Sequence, residues 1–261
     1  MSFETLEIER ADNGITTLWL ARADKHNAMS AQMMDELVHA ADELEADDST
    51  RVVILAAKGK TFCAGGDLTW MQAQAEKDRA GKIEEAQRLA GMLKRLDALG
   101  KPMIARVHGP AYGGGVGLMS ICDLVVASHG TKFALTETRL GLIPATIGPY
   151  VVRRMGEGNA RQVFMSAKAF GPERAKDLGL VSLVTGADAL DTVVQEEAES
   201  YLSCAPGAVA DAKALCCALA RMPAEGQINY TVGKLADRWE TEEAQAGIDA
   251  FFAKKTPPWR T

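Results

Sequence analysis

An α/β fold is predicted for this chain of 261 residues, and three observations predict it. Apolar runs of strand length alternate with segments of helical periodicity through the first two thirds, the pattern of layered strands and helices. Residues 51–57 (RVVILAA) form, after Arg51, a continuous apolar run opening on β-branched residues without polar alternation, as in a strand covered on both faces. From about Gly148 the periodicity turns almost wholly helical.

Taken in order, residues 3–9 alternate loosely, Asp12-Asn13-Gly14 marks a turn and Ile15–Leu20 forms a second run, which together read as a β-hairpin. A loop carrying Arg22, Lys25 and His26 follows. Ser30 is placed to cap a helix in which Met33, Met34, Leu37, Val38, Ala41 and Leu44 recur at helical spacing. After the strand at 51–57, residues 58–67 (KGKTFCAGGD) form a glycine-bearing turn. An amphipathic helix is expected over 81–99, ended by Gly100-Lys101-Pro102, and Met103–Val107 is the next strand. A second glycine turn, Gly113–Gly115, leads into the apolar run 116–122, and short strands are expected at 124–127, 133–135 and 180–184. The last three helices are expected over 187–202, 208–221 and 224–253, punctuated by Pro206-Gly207 and Met222-Pro223. The domain reading is a core over residues 1–200 and a helical region over 201–261 with apolar faces of its own.

Composition is that of an ordinary globular protein, 47% hydrophobic and 25% charged. A net charge of −6 argues against generic binding to nucleic acid or anionic membranes, although it leaves room for an anionic small ligand. The five cysteines stand in apolar or small-residue surroundings without a CxxC pair, and reduced, buried thiols are expected. No apolar run has the length of a membrane span and the acidic N-terminus lacks a signal-like segment, so the cytoplasm is the expected location. No tandem repeat is visible.

The chemistry-bearing stretch is Gly113–Gly115. Bare glycines let a ligand approach the main chain, and a helix starting there offers unpaired N–H groups to an anion. A glycine run is more often only a tight bend. Gly65 and Gly66, before Asp67, form a comparable turn, and two such turns after two strands supply the two convergent donors that an oxyanion site needs. Glu137 reads either as a surface acid paired with Lys132 or Arg139, or as a part-buried acid–base group. Asp67 is expected to cap the following helix, Asp123 to bond backbone groups and His39 to be exposed; His108 is the histidine nearest the glycine turn. Gly115-Val-Gly117 echoes half of a dinucleotide fingerprint, but Ser120 occupies the place of its third glycine. No GxSxG, HExxH, Walker A or metal-ligand spacing is present.

Several stretches in order carry a resemblance to a known family. They are DKHNAMS (24–30), TFCAGGDL (61–68), KPMIARVHGPAYGGGVGL (101–118), CDLVVAS (122–128), KFALTETRLGLIP (132–144), AKDLGLVSLV (175–184) and GIDAFFAKKTPPW (247–259). The chain resembles the crotonase, or enoyl-CoA hydratase/isomerase, superfamily from end to end. The resemblance implies a spiral of ββα units followed by a C-terminal helical trimerisation region, with trimers or dimers of trimers. It implies an acyl-CoA substrate whose thioester oxygen lies between the N–H groups of Gly66 and Gly114, with Glu137 as the acid–base residue. It places CoA contacts near Arg22, Lys25, Ala28, Ala64 and Leu68, and from Lys254 or Lys255 toward a neighbouring subunit. No metal or separate cofactor is expected, because CoA arrives with the substrate.

Hydratases of this family commonly carry a second glutamate two residues after the glycine run, where this chain has Gly117. A single carboxylate favours double-bond isomerisation. Residues 62–71 (FCAGGDLTWM) with 142–156 (LIPATIGPYVVRRMG) are instead similar to the methylglutaconyl-CoA hydratase branch, which favours hydration. Hydration is therefore the expected reaction, with Δ3-Δ2 isomerisation and a non-catalytic acyl-CoA-binding protein as the alternatives.

Overall fold

The computed structural model describes residues 3–260. Strands β1 (Leu6–Arg10) and β2 (Ile15–Leu20) form the expected antiparallel hairpin, and Gly14 takes the turn at φ +88°. The chain continues through α1 (Ala31–Ala46), β3 (Val52–Ala57), α2 (Leu68–Glu76), α3 (Arg79–Asp97), β4 (Met103–Val107), β5 (Ala111–Tyr112) and α4 (Gly114–Ile121). It goes on through β6 (Leu124–Ser128), β7 (Phe133–Ala134), α5 (Gly148–Met155), α6 (Glu157–Phe164), α7 (Pro172–Asp177) and β8 (Leu183–Thr185). Four helices close it: α8 (Leu190–Leu202), α9 (Pro206–Leu219), α10 (Ala224–Trp239) and α11 (Glu242–Phe252).

The main sheet has the order β1-β2-β3-β4-β6-β8, parallel at every pairing except β1–β2. Strand β3 is buried along its whole length. Val53, Leu55 and Ala57 face the large core against α1 and α3, while Val52, Ile54 and Ala56 face a smaller core closed by Leu190, Val194 and Ala198 of α8. This two-sided burial is why the strand lacks polar alternation.

A second, smaller set of pairings runs beside the main sheet. It joins Met29 to Gly66, Cys63 to Ala111, β5 to β7 and Phe133 to Phe170. Strands β3, β4 and β6 are thus each followed by a short pairing segment, and after β3 and β4 a helix comes next. The ββα spiral is repetition of backbone pairing rather than of side chains, and for that reason no repeat is visible in the sequence.

Several expectations are corrected. The helix expected over 224–253 is two helices, broken where the Thr241 hydroxyl accepts the N–H of Ala244 and starts α11 afresh. Helix α3 starts earlier than expected, because the Asp78 carboxylate accepts the Gly81 N–H. The last strand begins at Leu183, with Leu180 and Val181 buried in the core ahead of it. Only Cys63 and Cys122 are buried thiols, and burial pushes both up to about 12. Cys204, in the turn between α8 and α9, is exposed, and so is Cys216, because α9 buries no residue in this chain. No single helix among the described residues is long and apolar enough to cross a membrane; one bent pair, 187–202 with 206–219, meets that test of length and composition only when taken together across a 104° bend.

Candidate active site

The site forms where the two glycine turns meet beside β5 and β7. Gly65 adopts φ +95°, open to a residue without a side chain, and a Cβ there would lie 3.1 Å from the Tyr112 carbonyl oxygen and 3.8 Å from the Gly114 nitrogen. The turns are held by main-chain bonds. Met29 N–H donates to Gly65 O (2.7 Å), Asp67 N–H to Met29 O (2.9 Å), Tyr112 N–H to Cys63 O (2.9 Å) and Gly113 N–H to Ala134 O (2.9 Å).

Among the described residues the N–H groups of Gly66 and Gly114 have no such acceptor, and both glycines line one cavity of about 390 Å³. Gly114 opens α4, so its amide also carries the positive end of the helix dipole. Glu137 lies two residues beyond Leu135, at the start of a 3-10 turn (Glu137–Leu140), and lines the same cavity. It forms no ion pair with Lys132 or Arg139. Its Oε2 is buried without a hydrogen-bond partner. Burial pushes the carboxyl above its ordinary value, and its own backbone N–H offsets part of that rise. A Cβ at Gly113 would stand 2.8 Å from Glu137 Oε1, so the bare turn is also what gives this carboxylate room.

Asp67 caps α2 as expected, accepting from Thr69 N–H (2.9 Å) and Trp70 N–H (3.3 Å). It also pairs with Arg22 at 3.0 Å. Burial alone would raise this carboxyl, but the hydrogen bonds from Arg22 and from the α2 amides outweigh it and hold the group below the ordinary range. Asp123 accepts from Met103 N–H (2.7 Å) and pairs with Lys213 (2.8 Å). His39 is exposed, and His108 Nε2 donates to Gly59 O at 2.8 Å, away from the cavity.

Of the ten residues singled out from the sequence, the structure brings Gly66, Gly114 and Glu137 together on the cavity. Arg22, Lys25, Ala28 and Ala64 lie on the adjoining loops and Leu68 opens α2, none of them lining it. Arg22 bonds Ala28 O (2.5 Å), Ala64 N–H donates to His26 O (3.0 Å), Lys25 is exposed and Leu68 is 76% exposed. Lys254 and Lys255 follow α11, exposed and apart from the cavity lining.

Sequence reasoning missed the walls: Met29, Trp70 and Met71, the α3 stripe Lys82, Ala86 and Leu89, and Ile147. It also missed Asn27, a buried amide that donates to Lys58 O (2.9 Å) and Thr61 O (2.8 Å) and accepts from Arg22 N–H (2.9 Å). His26 and Asn27 both take positive φ, and an adjacent His-Asn pair is a signal that was open to reading.

The chain matches the enoyl-CoA hydratase/isomerase family over residues 10–261. It is similar to the crystal structure of an enoyl-CoA hydratase from Shewanella pealeana, at 33% identity and TM-score 0.93, covering 98% of this chain and 96% of that one. It is 30% identical over 273 aligned residues to the peroxisomal Δ(3,5)-Δ(2,4)-dienoyl-CoA isomerase of Arabidopsis thaliana, covering 98% of this chain and 97% of the relative. It is 29% identical over 253 residues to the 2,3-dehydroadipyl-CoA hydratase of Escherichia coli K12, with 94% and 95% covered.

Proposed function

The chain belongs to the enoyl-CoA hydratase/isomerase family, and from that premise we propose that it adds water across the conjugated double bond of a short or branched enoyl-CoA. One observation carries this reading: two acceptor-free main-chain amides and one unpartnered carboxylate oxygen line the same cavity. As oxygen bonds to the β-carbon, the π electrons move toward the thioester and charge develops on its oxygen. Gly66 N–H and Gly114 N–H receive that charge, and a donor of this kind is worth about 3–4 kcal/mol in the transition state. Glu137, raised by burial, takes the proton from water and delivers a proton to the α-carbon, completing addition. CoA enters and leaves with the substrate.

Isomerisation of a 3-enoyl-CoA is the second reading, favoured by Gly117: a Cβ at that position would stand 2.4 Å from Ile147 Cγ2, so an aliphatic group fills the space beside it. One carboxylate suffices to move a proton between two carbons. Mass spectrometry of the purified protein with crotonyl-CoA and with a 3-enoyl-CoA separates the readings, since hydration adds the mass of water and isomerisation adds nothing. Tight binding of the whole acyl panel with no turnover would instead identify a binding protein.

A carboxylated acyl group, such as 3-methylglutaconyl, is the proposed finer class. Lys82 is the cation among the cavity-lining residues, whereas exposed Arg139 lines no part of it. Lys82→Ala is expected to raise KM for 3-methylglutaconyl-CoA by about fivefold, the scale of one exposed ion pair, and to leave crotonyl-CoA unchanged. Equal effects on both substrates would remove the carboxylate from the proposal. Assembly as a homotrimer or a dimer of trimers and a cytoplasmic location complete the proposed reading.

A further inference from the structure

Three glycines at and just before the start of α4, Gly113, Gly114 and Gly117, leave spaces that side chains from elsewhere fill. Cβ atoms placed on Gly113, Gly114 and Gly117 would stand 2.8 Å from Glu137 Oε1, 2.0 Å from Met29 Cε and 2.4 Å from Ile147 Cγ2. Met29, Glu137 and Ile147 all line the cavity. Gly113 is the N-cap of α4 and Gly117 lies in its first turn, so Glu137 and Ile147 stand against the same end of the helix and line the same cavity.

Ile147 is 2% exposed and confined. Its Cβ would lie 3.0 Å from a Cβ at Gly117, and Leu93 Cδ1 stands 3.9 Å from the same point on the α3 side. The depth at which its methyl groups sit is therefore set by the missing side chain of Gly117. A bulkier residue at 117 would drive Ile147 into the cavity, and a smaller residue at 147 would let the cavity extend toward α4.

We propose that Ile147, seated in the space Gly117 leaves open, is the specificity-determining wall of the acyl cavity and sets the bulk accepted next to the reacting carbons. This rests on the acyl-thioester reading. One methylene in an apolar pocket discriminates by roughly 10–200-fold, so the change from isoleucine to alanine lies well within measurable range.

The test compares kcat/KM of wild type, Ile147→Val, Ile147→Ala, Gly117→Ala and the Gly117→Ala/Ile147→Ala pair on crotonyl-, 3-methylcrotonyl-, hexenoyl- and octenoyl-CoA. Ile147→Ala is expected to shift preference toward the bulkier acyl groups by about tenfold, with Ile147→Val between. Gly117→Ala is expected to shift it the opposite way, and the pair to return near wild type, the non-additivity that marks direct contact. An acyl ranking in Ile147→Ala within about twofold of wild type overturns the inference. Where Gly117→Ala fails to fold, the two Ile147 variants carry the test alone. Absence of wild-type turnover on every substrate would refute the enzymatic reading instead. Calorimetric Kd values for butyryl-, hexanoyl- and octanoyl-CoA then decide the role of Ile147, and an unchanged ranking in Ile147→Ala overturns it there too.

Discussion

Glu137 shows how one residue trades stability against chemistry. Its Oε2 is buried without a partner, so ionisation costs the folded state more than the unfolded one. The sign follows from the raised folded pKa. Below the ordinary 4.5 both states hold the proton and no penalty exists; as pH rises through 4.5 and then through the folded value, wild type loses stability that a neutral isostere keeps. Glu137→Gln is therefore expected to lower kcat by about 10²–10⁴ with acyl-CoA binding retained. The same variant is expected to melt at or above the wild-type temperature at neutral pH, the difference vanishing in acid. Scanning calorimetry across pH, with steady-state kinetics, checks both halves. A variant that turns over normally would remove Glu137 from the mechanism. Position alone left Glu137 open between a surface acid and an acid–base group, and the resemblance singled it out; its burial became visible only in the folded chain.

At the scale of the element, α2 is the wall that holds least firmly. It buries no residue of its own. Asp67 caps it and ties it to Arg22, and Glu85 of α3 receives the indole N–H of Trp70 at 2.9 Å and Lys77 at 2.6 Å. Asp67→Asn keeps an oxygen for the cap and loses only the charge opposite Arg22. Asp67→Ala loses the cap, about 1 kcal/mol, and leaves the guanidinium unpaired as well. Denaturant unfolding is expected to rank wild type above Asp67→Asn above Asp67→Ala. The alanine variant is also expected to lose turnover, because the tie between Arg22 and the residue following Gly66 is lost while only the main-chain bonds of the turn remain; normal kinetics in that variant would separate the cap from the site. The cap is a local event between neighbours and was readable from the sequence. The partnership with Arg22 spans forty-five positions and was not.

For the whole molecule, the unfinished surface lies at the C-terminus. Ile228, Val232, Leu235 and Trp239 recur along α10 and are 74%, 64%, 62% and 63% exposed, with Phe251 and Phe252 of α11 each 79% exposed. In the proposed homotrimer this apolar stripe is the surface offered to another copy. Val232→Glu with Leu235→Glu is expected to lower the assembly mass measured by light scattering toward that of one chain, and an unchanged mass would place any interface elsewhere. The α/β class, the alternation of strands and helices through the first half of the chain, the β1–β2 hairpin and the two glycine turns were determined by the sequence alone. Each depends on local backbone preference and on burial periodicity, which neighbouring residues write directly. The convergence of the turns at residues 66 and 114, the burial of Glu137 and the wall at Ile147 were decided by tertiary structure. They depend on which side chains fill the spaces that glycines leave, and such distances exist only once remote segments have packed.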